Sequence, residues 1–368
     1  MNAPDGPDSA RSPASLAGTA RPRRRRRALL ALAVTPWLGA CSYVGAFLRA
    51  EEPRTLFERG YFAEMSAVEG RPAERRADGL RVLADLRYRP PGLARDPGAH
   101  RLDAYLPASG SGPWPLVVYA HGGGLNAGAK DDGTRVNRNI AIAIAQRGFV
   151  VLNINHRLAD EAPHPAQAED MAAAVRWGID HAAELQADPD RLVLAGFSSG
   201  GFLAALLAGE PRHLEAQRVD PRRLRAVAAV SGFFDIDHLA EPFLVRRFIV
   251  EPAFGHRGPA WRDASPLARA GAHWPPTLLV SAAADRAAGP QSDALCTRLQ
   301  ESGVHCRRIV VPASRHSTAI ARLGDGRAAP EFEAMVAFLL DATGVVHHSP
   351  ARSVGPRKAA PGTTAPLA

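Results

Sequence analysis

From about Leu80 the chain alternates short, continuously apolar runs with longer stretches in which apolar residues recur every three or four positions. Six runs stand out, at residues 115–120, 149–155, 191–195, 226–231, 277–281 and 308–311. Runs with so few polar interruptions suit strands covered on both faces, as in a parallel sheet. The stretches between them read as crossovers. After Pro165, Met171, Val175, Ile179 and Ala182 recur at helical spacing, and Asp170 falls in the first turns, where negative charge suits the helix dipole. Strand followed by helix, repeated, predicts an α/β fold with a mostly parallel central sheet and helices on both faces.

Two stretches break the alternation. Residues 235–275 lie between two core strands and carry Phe243, Phe248, Phe254, Trp261 and Trp274, more than a plain crossover needs, so a small cap insertion is expected there. Residues 344–368 are rich in Pro, Ala, Gly and Thr and have little to bury, which predicts a disordered tail. No second block of motifs and no internal repeat is visible in the 368 residues. One domain over 75–343, preceded by a linker or N-terminal cap segment at 41–74, is the economical organisation.

The formal charge of +8 divides unevenly. Residues 1–40 hold seven Arg against Asp5 and Asp8, a net of +5, leaving +3 for the rest of the chain. The basicity therefore belongs to the leader, and a nucleic-acid surface on the domain is not expected. In that leader Arg23 to Arg27 precede an apolar run from Ala28 that ends in Leu38-Gly39-Ala40-Cys41. A cationic start, a short apolar run and small residues form the layout of a secretory signal. The last four residues resemble the bacterial lipobox, so 1–40 is expected to be cleaved before a lipidated Cys41 that holds the protein on a membrane of the cell envelope. A plain cleaved signal, or an uncleaved anchor over 28–48, would also export the domain. Beyond Cys41 there remain Cys296 and Cys306. In an oxidising compartment these could pair, but two separate thiols are the expectation, because sequence does not give their Cα separation.

The sharpest chemical signal is Gly196-Phe197-Ser198-Ser199-Gly200, directly after the run at 191–195 and before the apolar helical run at 202–208. This is the nucleophile-elbow motif in its strand-to-helix context, and glycines two positions either side remove the collisions that so tight a turn creates. Upstream, the run at 115–120 leads into His121-Gly122-Gly123-Gly124. Backbone N–H groups of Gly122, Gly123 and Ser199 are the expected oxyanion hole. A phosphate loop is excluded: Gly123 and Gly128 have the spacing, but Ala129 stands where the lysine must be.

A serine hydroxyl needs a base, and the base needs a partner to hold its tautomer. Asp285 comes after the run at 277–281 and His316 after the run at 308–311, so both are expected just past the carboxyl ends of strands. Asp293 is the reserve acid. His156 and His164 read as ordinary loop histidines and His347-His348 as part of the tail. Nothing has the HExxH spacing of a zinc site, so no metal and no cofactor are expected.

With Ser198, Asp285 and His316 in that order, the chain from about Arg75 to Leu340 resembles carboxylesterases of the α/β-hydrolase superfamily, near its hormone-sensitive-lipase-like and kynurenine-formamidase-like branches. Further points of resemblance are Leu102-Asp103-Ala104-Tyr105-Leu106-Pro107, Asn155-His156-Arg157-Leu158-Ala159, Asp188-Pro189-Asp190-Arg191 and Ser265-Pro266. Phe197, where hormone-sensitive-lipase relatives usually carry aspartate, and Leu125, where many relatives carry an aromatic residue, depart from the pattern. The resemblance implies an α/β-hydrolase fold and a serine ester hydrolase working through an acyl-enzyme on a small-molecule ester. An amidase or arylformamidase using the same site is the alternative, and a non-catalytic binding module of this fold is the reading from another class.

Overall fold

Strands that are apolar on both sides must be covered on both sides, and the computed structural model, which describes residues 76–325 and 329–345, shows how this chain does it. The six expected runs form β3 (Trp114–Ala120), β4 (Val150–Ile154), β5 (Ala187–Phe197), β6 (Leu224–Val230), β7 (Thr277–Ala282) and β8 (Cys306–Val311). Two further strands precede them, β1 (Leu80–Arg87) and β2 (Arg101–Pro107). The order across the sheet is β1-β2-β4-β3-β5-β6-β7-β8. β1–β2 and β2–β4 pair antiparallel, and every other pair is parallel.

The helices of nine or more residues among the described residues are α1 (Val136–Ala145), α2 (Ala166–Asp180), α3 (Ser199–Gly209), α4 (Ala288–Glu301), α5 (His316–Gly324) and α6 (Pro330–Ala342). They fall on the two faces of the sheet. Leu116, Val118 and Ala120 of β3 join one buried cluster with Met171 and Val175 of α2, Phe202 of α3 and Leu295 of α4. Val117 and Tyr119, pointing the other way, join a second cluster with Ile140 of α1, Ile320 of α5 and Phe338 of α6. Alternation along one strand thus feeds two cores. Every residue of α3 is buried, as a helix that is apolar all round must be.

Residues 235–275 form short helical pieces between β6 and β7, including a π turn at Arg246–Val250. Trp261 and Trp274 are buried in this stretch, whereas Phe243 stays 63% exposed. The expected signal at 1–40, the lipidated Cys41, the linker over 41–74 and the tail beyond 345 lie outside the described residues.

One expectation is corrected. Cys296 of α4 and Cys306, the first residue of β8, are disulfide-bonded and not separate thiols. The turn after α4 returns the chain along the helix and leaves the two Cα atoms 5.4 Å apart, inside the range a disulfide spans. Asp170, read from sequence as a charge suited to the helix dipole, has a larger role. It is fully buried, accepting from the Arg157 backbone N–H at 2.9 Å and its guanidinium Nη2 at 2.8 Å, with His100 Nε2 at 3.1 Å and Arg89 as a further cation. Burial alone would raise its carboxyl, but these partners outweigh that and hold it well below the usual carboxylate range.

Candidate active site

The register across β3, β5 and β6 lines up the carboxyl ends of the strands, with Ala120 beside Gly196 and Phe197 beside Val230. Ser198 comes next, at the turn into α3, and donates its backbone N–H to the Val230 carbonyl at 2.8 Å. Its backbone sits at φ 52°, ψ −116°, a strained conformation for a residue with a Cβ. The flanking glycines permit it. A Cβ on Gly200 would lie 2.0 Å from the Ala120 carbonyl oxygen, and one on Gly196 would lie 2.3 Å from the carbonyl carbon of Gly200.

Asp285 and His316 stand at the carboxyl ends of β7 and β8. The Ala283 N–H bonds the Val311 carbonyl at 3.0 Å and the Ala284 N–H bonds the Ser314 carbonyl at 3.1 Å, tying the two loops together. His316 Nδ1 lies 2.7 Å from Asp285 Oδ2, and His316 Nε2 lies 3.0 Å from Ser198 Oγ. Asp285 accepts further N–H bonds from Ala287 at 3.2 Å and Ala288 at 3.0 Å. Burial pushes its carboxyl up, yet the imidazole and these N–H groups more than offset that, so it lies below the ordinary carboxylate value and stays charged. A carboxylate on Nδ1 fixes the proton there and leaves the Nε2 lone pair facing the hydroxyl. Asp293, the reserve acid, is 70% exposed and bonds Arg308 instead.

Gly122 and Gly123 turn sharply after β3. The Gly123 carbonyl accepts from both Asn126 N and Ala127 N at 3.0 Å, and a Cβ on Gly123 would sit 2.1 Å from the Ala127 carbonyl oxygen. A Cβ on Gly122 would meet the Phe197 ring at 2.6 Å. The Phe197 ring, itself buried, therefore lies against the glycine turn and also 5.2 Å from the His316 ring. Among the described residues, no acceptor takes the N–H of Gly122, Gly123 or Ser199. Lys130, the nearest lysine to the glycines in sequence, is engaged with Asp103 at 2.8 Å.

Sequence reasoning missed two supports of this site. His156 is not an ordinary loop histidine: it is buried and stacks on His121 with ring centroids 4.3 Å apart and planes 15° from parallel. Burial holds both imidazoles below the ordinary histidine value, and for His121 the neighbouring His156 adds to it. Each ring nitrogen Nδ1 meets a backbone carbonyl, Gly122 at 2.7 Å and Arg157 at 2.9 Å, which fixes a proton on Nδ1, while burial, not these bonds, favours the neutral rings. Asn126, with its side-chain amide inside the glycine turn, is the second. Neither has a local signal, because the partners come from other loops. Among the described residues no three His, Cys, Asp or Glu side chains converge as metal ligands would, and no helix is long and apolar enough to cross a membrane.

Comparison with known proteins bears on the family and the fold. The BD-FAE family model matches residues 102–299, just over half of the chain, a stretch that contains Ser198 and Asp285. Carboxylesterase NlhH of Mycobacterium tuberculosis is 45% identical over 94 residues, 26% of this chain and 28% of that protein. Esterase LipC of the same organism is 26% identical over 185 residues, 47% of this chain and 45% of its own length. The chain thus spans less than half the length of these curated relatives. Among solved structures, esterase B of Lactobacillus rhamnosis shares the fold with a TM-score of 0.65 at 21% identity, over 80% of this chain and 95% of that one. Bacterial heroin esterase matches with a TM-score of 0.58 at 25% identity, over 78% and 89% of the two chains. Eight strands in this order, helices on both faces and the span matched by the family model lead to one assignment: the chain belongs to the BD-FAE family and has the α/β-hydrolase fold.

Proposed function

We propose that this protein is a serine carboxylic-ester hydrolase working through an acyl-enzyme. The observation that carries the reading is the unbroken chain from Ser198 Oγ to His316 Nε2 at 3.0 Å and from His316 Nδ1 to Asp285 at 2.7 Å, beside three N–H groups that have no acceptor among the described residues. Ser198 Oγ attacks the ester carbonyl while His316 Nε2 takes its proton, and Asp285 stabilises the imidazolium that forms. The carbonyl oxygen, now negative, is received by the N–H groups of Gly122, Gly123 and Ser199, each worth roughly 3 kcal/mol in comparable sites. As the intermediate collapses, the C–O bond to the alcohol breaks and Nε2–H protonates the leaving oxygen. Water then repeats the cycle on the acyl-enzyme, with His316 again as base, releasing the acid and restoring Ser198.

The names of the relatives, esterases and carboxylesterases, support ester over amide as the substrate class. The stretch 235–275, joined to the glycine turn through Asn126, serves in this reading as the cap that selects the leaving group. We place the protein outside the cytoplasm, held on a membrane by a lipid on Cys41. The Arg-rich start and the Leu38-to-Cys41 sequence support this, and the Cys296–Cys306 disulfide suits an oxidising compartment. Hydrolysis of p-nitrophenyl acetate and butyrate by wild type and Ser198→Ala tests the catalytic assignment. Turnover in the first and none above background in the second is expected; turnover surviving in Ser198→Ala means another nucleophile.

A further inference from the structure

Three consecutive residues of the glycine turn have left-handed backbones, Gly123 (φ 121°), Gly124 (φ 60°) and Leu125 (φ 64°). For Leu125 that conformation costs about 1 kcal/mol or more, and it persists only where the surroundings fix it. Three hydrogen bonds do so. The Ala159 N–H donates to the Leu125 carbonyl at 2.8 Å. Asn126 Nδ2 supplies the other two, donating one hydrogen to the Gly124 carbonyl at 2.6 Å and the other to the Ile249 carbonyl at 3.1 Å. Asn126 is 6% exposed, so water cannot readily replace either bond. Ile249 lies in the π turn Arg246–Val250 of the inserted stretch between β6 and β7. Such turns recur at functional sites. A second bond, from the His164 N–H to the Ala253 carbonyl at 2.8 Å, fastens the same stretch to the loop before α2.

We infer that Asn126 is a positioning residue that locks the oxyanion turn to the inserted stretch, so that the direction of the Gly122 and Gly123 N–H groups depends on where the π turn sits. This rests on the esterase reading above. A single amide nitrogen has two hydrogens, and here each is committed, one within the turn and one across to the π turn. Removing it frees the turn to relax its left-handed residues, and a shift of the donors by about 1 Å suffices to cost on the order of 100-fold in rate. The effect falls on the transition state, because the developing oxyanion meets those donors and the ground-state ester does so weakly.

The test compares Asn126→Ala, Asn126→Asp, Ile249→Gly and the Asn126→Ala/Ile249→Gly double variant with wild type and Ser198→Ala on p-nitrophenyl acetate. Asn126→Asp keeps the shape and replaces the donor with an oxygen facing two carbonyls, and Ile249→Gly loosens the link from its other side, so the inference does not hang on one variant's folding. Expected for Asn126→Ala is a 10- to 100-fold fall in kcat with KM within about threefold. The inhibition constant of an alkylboronic acid, which places an oxygen in the same hole, should rise by the same factor. The double variant should be little worse than Asn126→Ala alone, since the link is already cut. Folded Asn126 variants with wild-type kcat and boronate affinity overturn the inference, as does strict additivity in the double variant. No turnover of the ester by folded wild type would instead overturn the esterase reading itself, and wild-type activity persisting in Ser198→Ala would mean another nucleophile.

Discussion

Gly200→Ala isolates the geometry on which the proposed nucleophile, Ser198, depends. A methyl group at this position would stand 2.0 Å from the Ala120 carbonyl oxygen, 2.5 Å from its carbon and 2.7 Å from the His121 carbonyl oxygen. Real Cβ atoms essentially never approach closer than 3.0 Å, so about 1 Å must open between the start of α3 and the end of β3. All three obstacles are backbone atoms, which have no rotamer to change. Overpacking of this kind costs about 1 to 3 kcal/mol of stability. The larger effect is on chemistry. Ser198 rides on the α3 side of that gap and Gly122 and Gly123 on the β3 side, so opening it moves the proposed nucleophile away from two of its three proposed oxyanion donors, on the order of 100-fold in kcat/KM. Gly289→Ala is the control: a methyl there meets nothing within 4 Å, and the helix α4 should gain up to about 0.5 kcal/mol. Urea unfolding and p-nitrophenyl acetate turnover on both variants decide the matter. Gly200→Ala with the wild-type midpoint and turnover within twofold of wild type would refute the reasoning.

Two further outcomes concern stability rather than turnover. Replacing Cys296 and Cys306 together by Ala should lower the urea-unfolding free energy by about 2 to 3 kcal/mol, the entropy scale for a loop this short, and reductant should do the same to wild type but nothing to the variant. His121 and His156 have folded-state pKa values below the ordinary 6.5, so their contribution is fully present above about pH 6.5 and is lost as pH falls toward the folded values, where the unfolded chain binds protons that the stack refuses. His156→Phe, which keeps the stack, should flatten the slope of stability against pH below 6.5 by up to about 1.4 kcal/mol per pH unit; identical slopes in the two proteins would contradict the neutral assignment.

The parallel part of the sheet was legible because β3 to β8 each contain a short apolar run. β1 did not, since Leu80, Leu83 and Leu86 are spaced by three: the register shifts between Leu83 and Leu86, and Asp85 takes φ 59° there. That spacing reads more like a helix than a strand. β2 hides for a different reason, carrying His100 at its edge and Asp103 within it, both buried against partners far along the chain. Ser198, Asp285 and His316 could be read because each comes just after a strand. The roles of Asp170, His156, Asn126 and the cysteine pair could not. They are set by Arg89 and His100, by His121, by Ile249 and by a 5.4 Å Cα separation, none of which a local pattern encodes.

The esterase reading stands or falls on Ser198 forming the covalent intermediate. Titrating wild type with a p-nitrophenyl alkylphosphonate should release one p-nitrophenol per chain as turnover is lost, with the adduct found by mass spectrometry on the peptide carrying Ser198 and absent from Ser198→Ala. Turnover that survives stoichiometric labelling, or an adduct on any other residue, would contradict it.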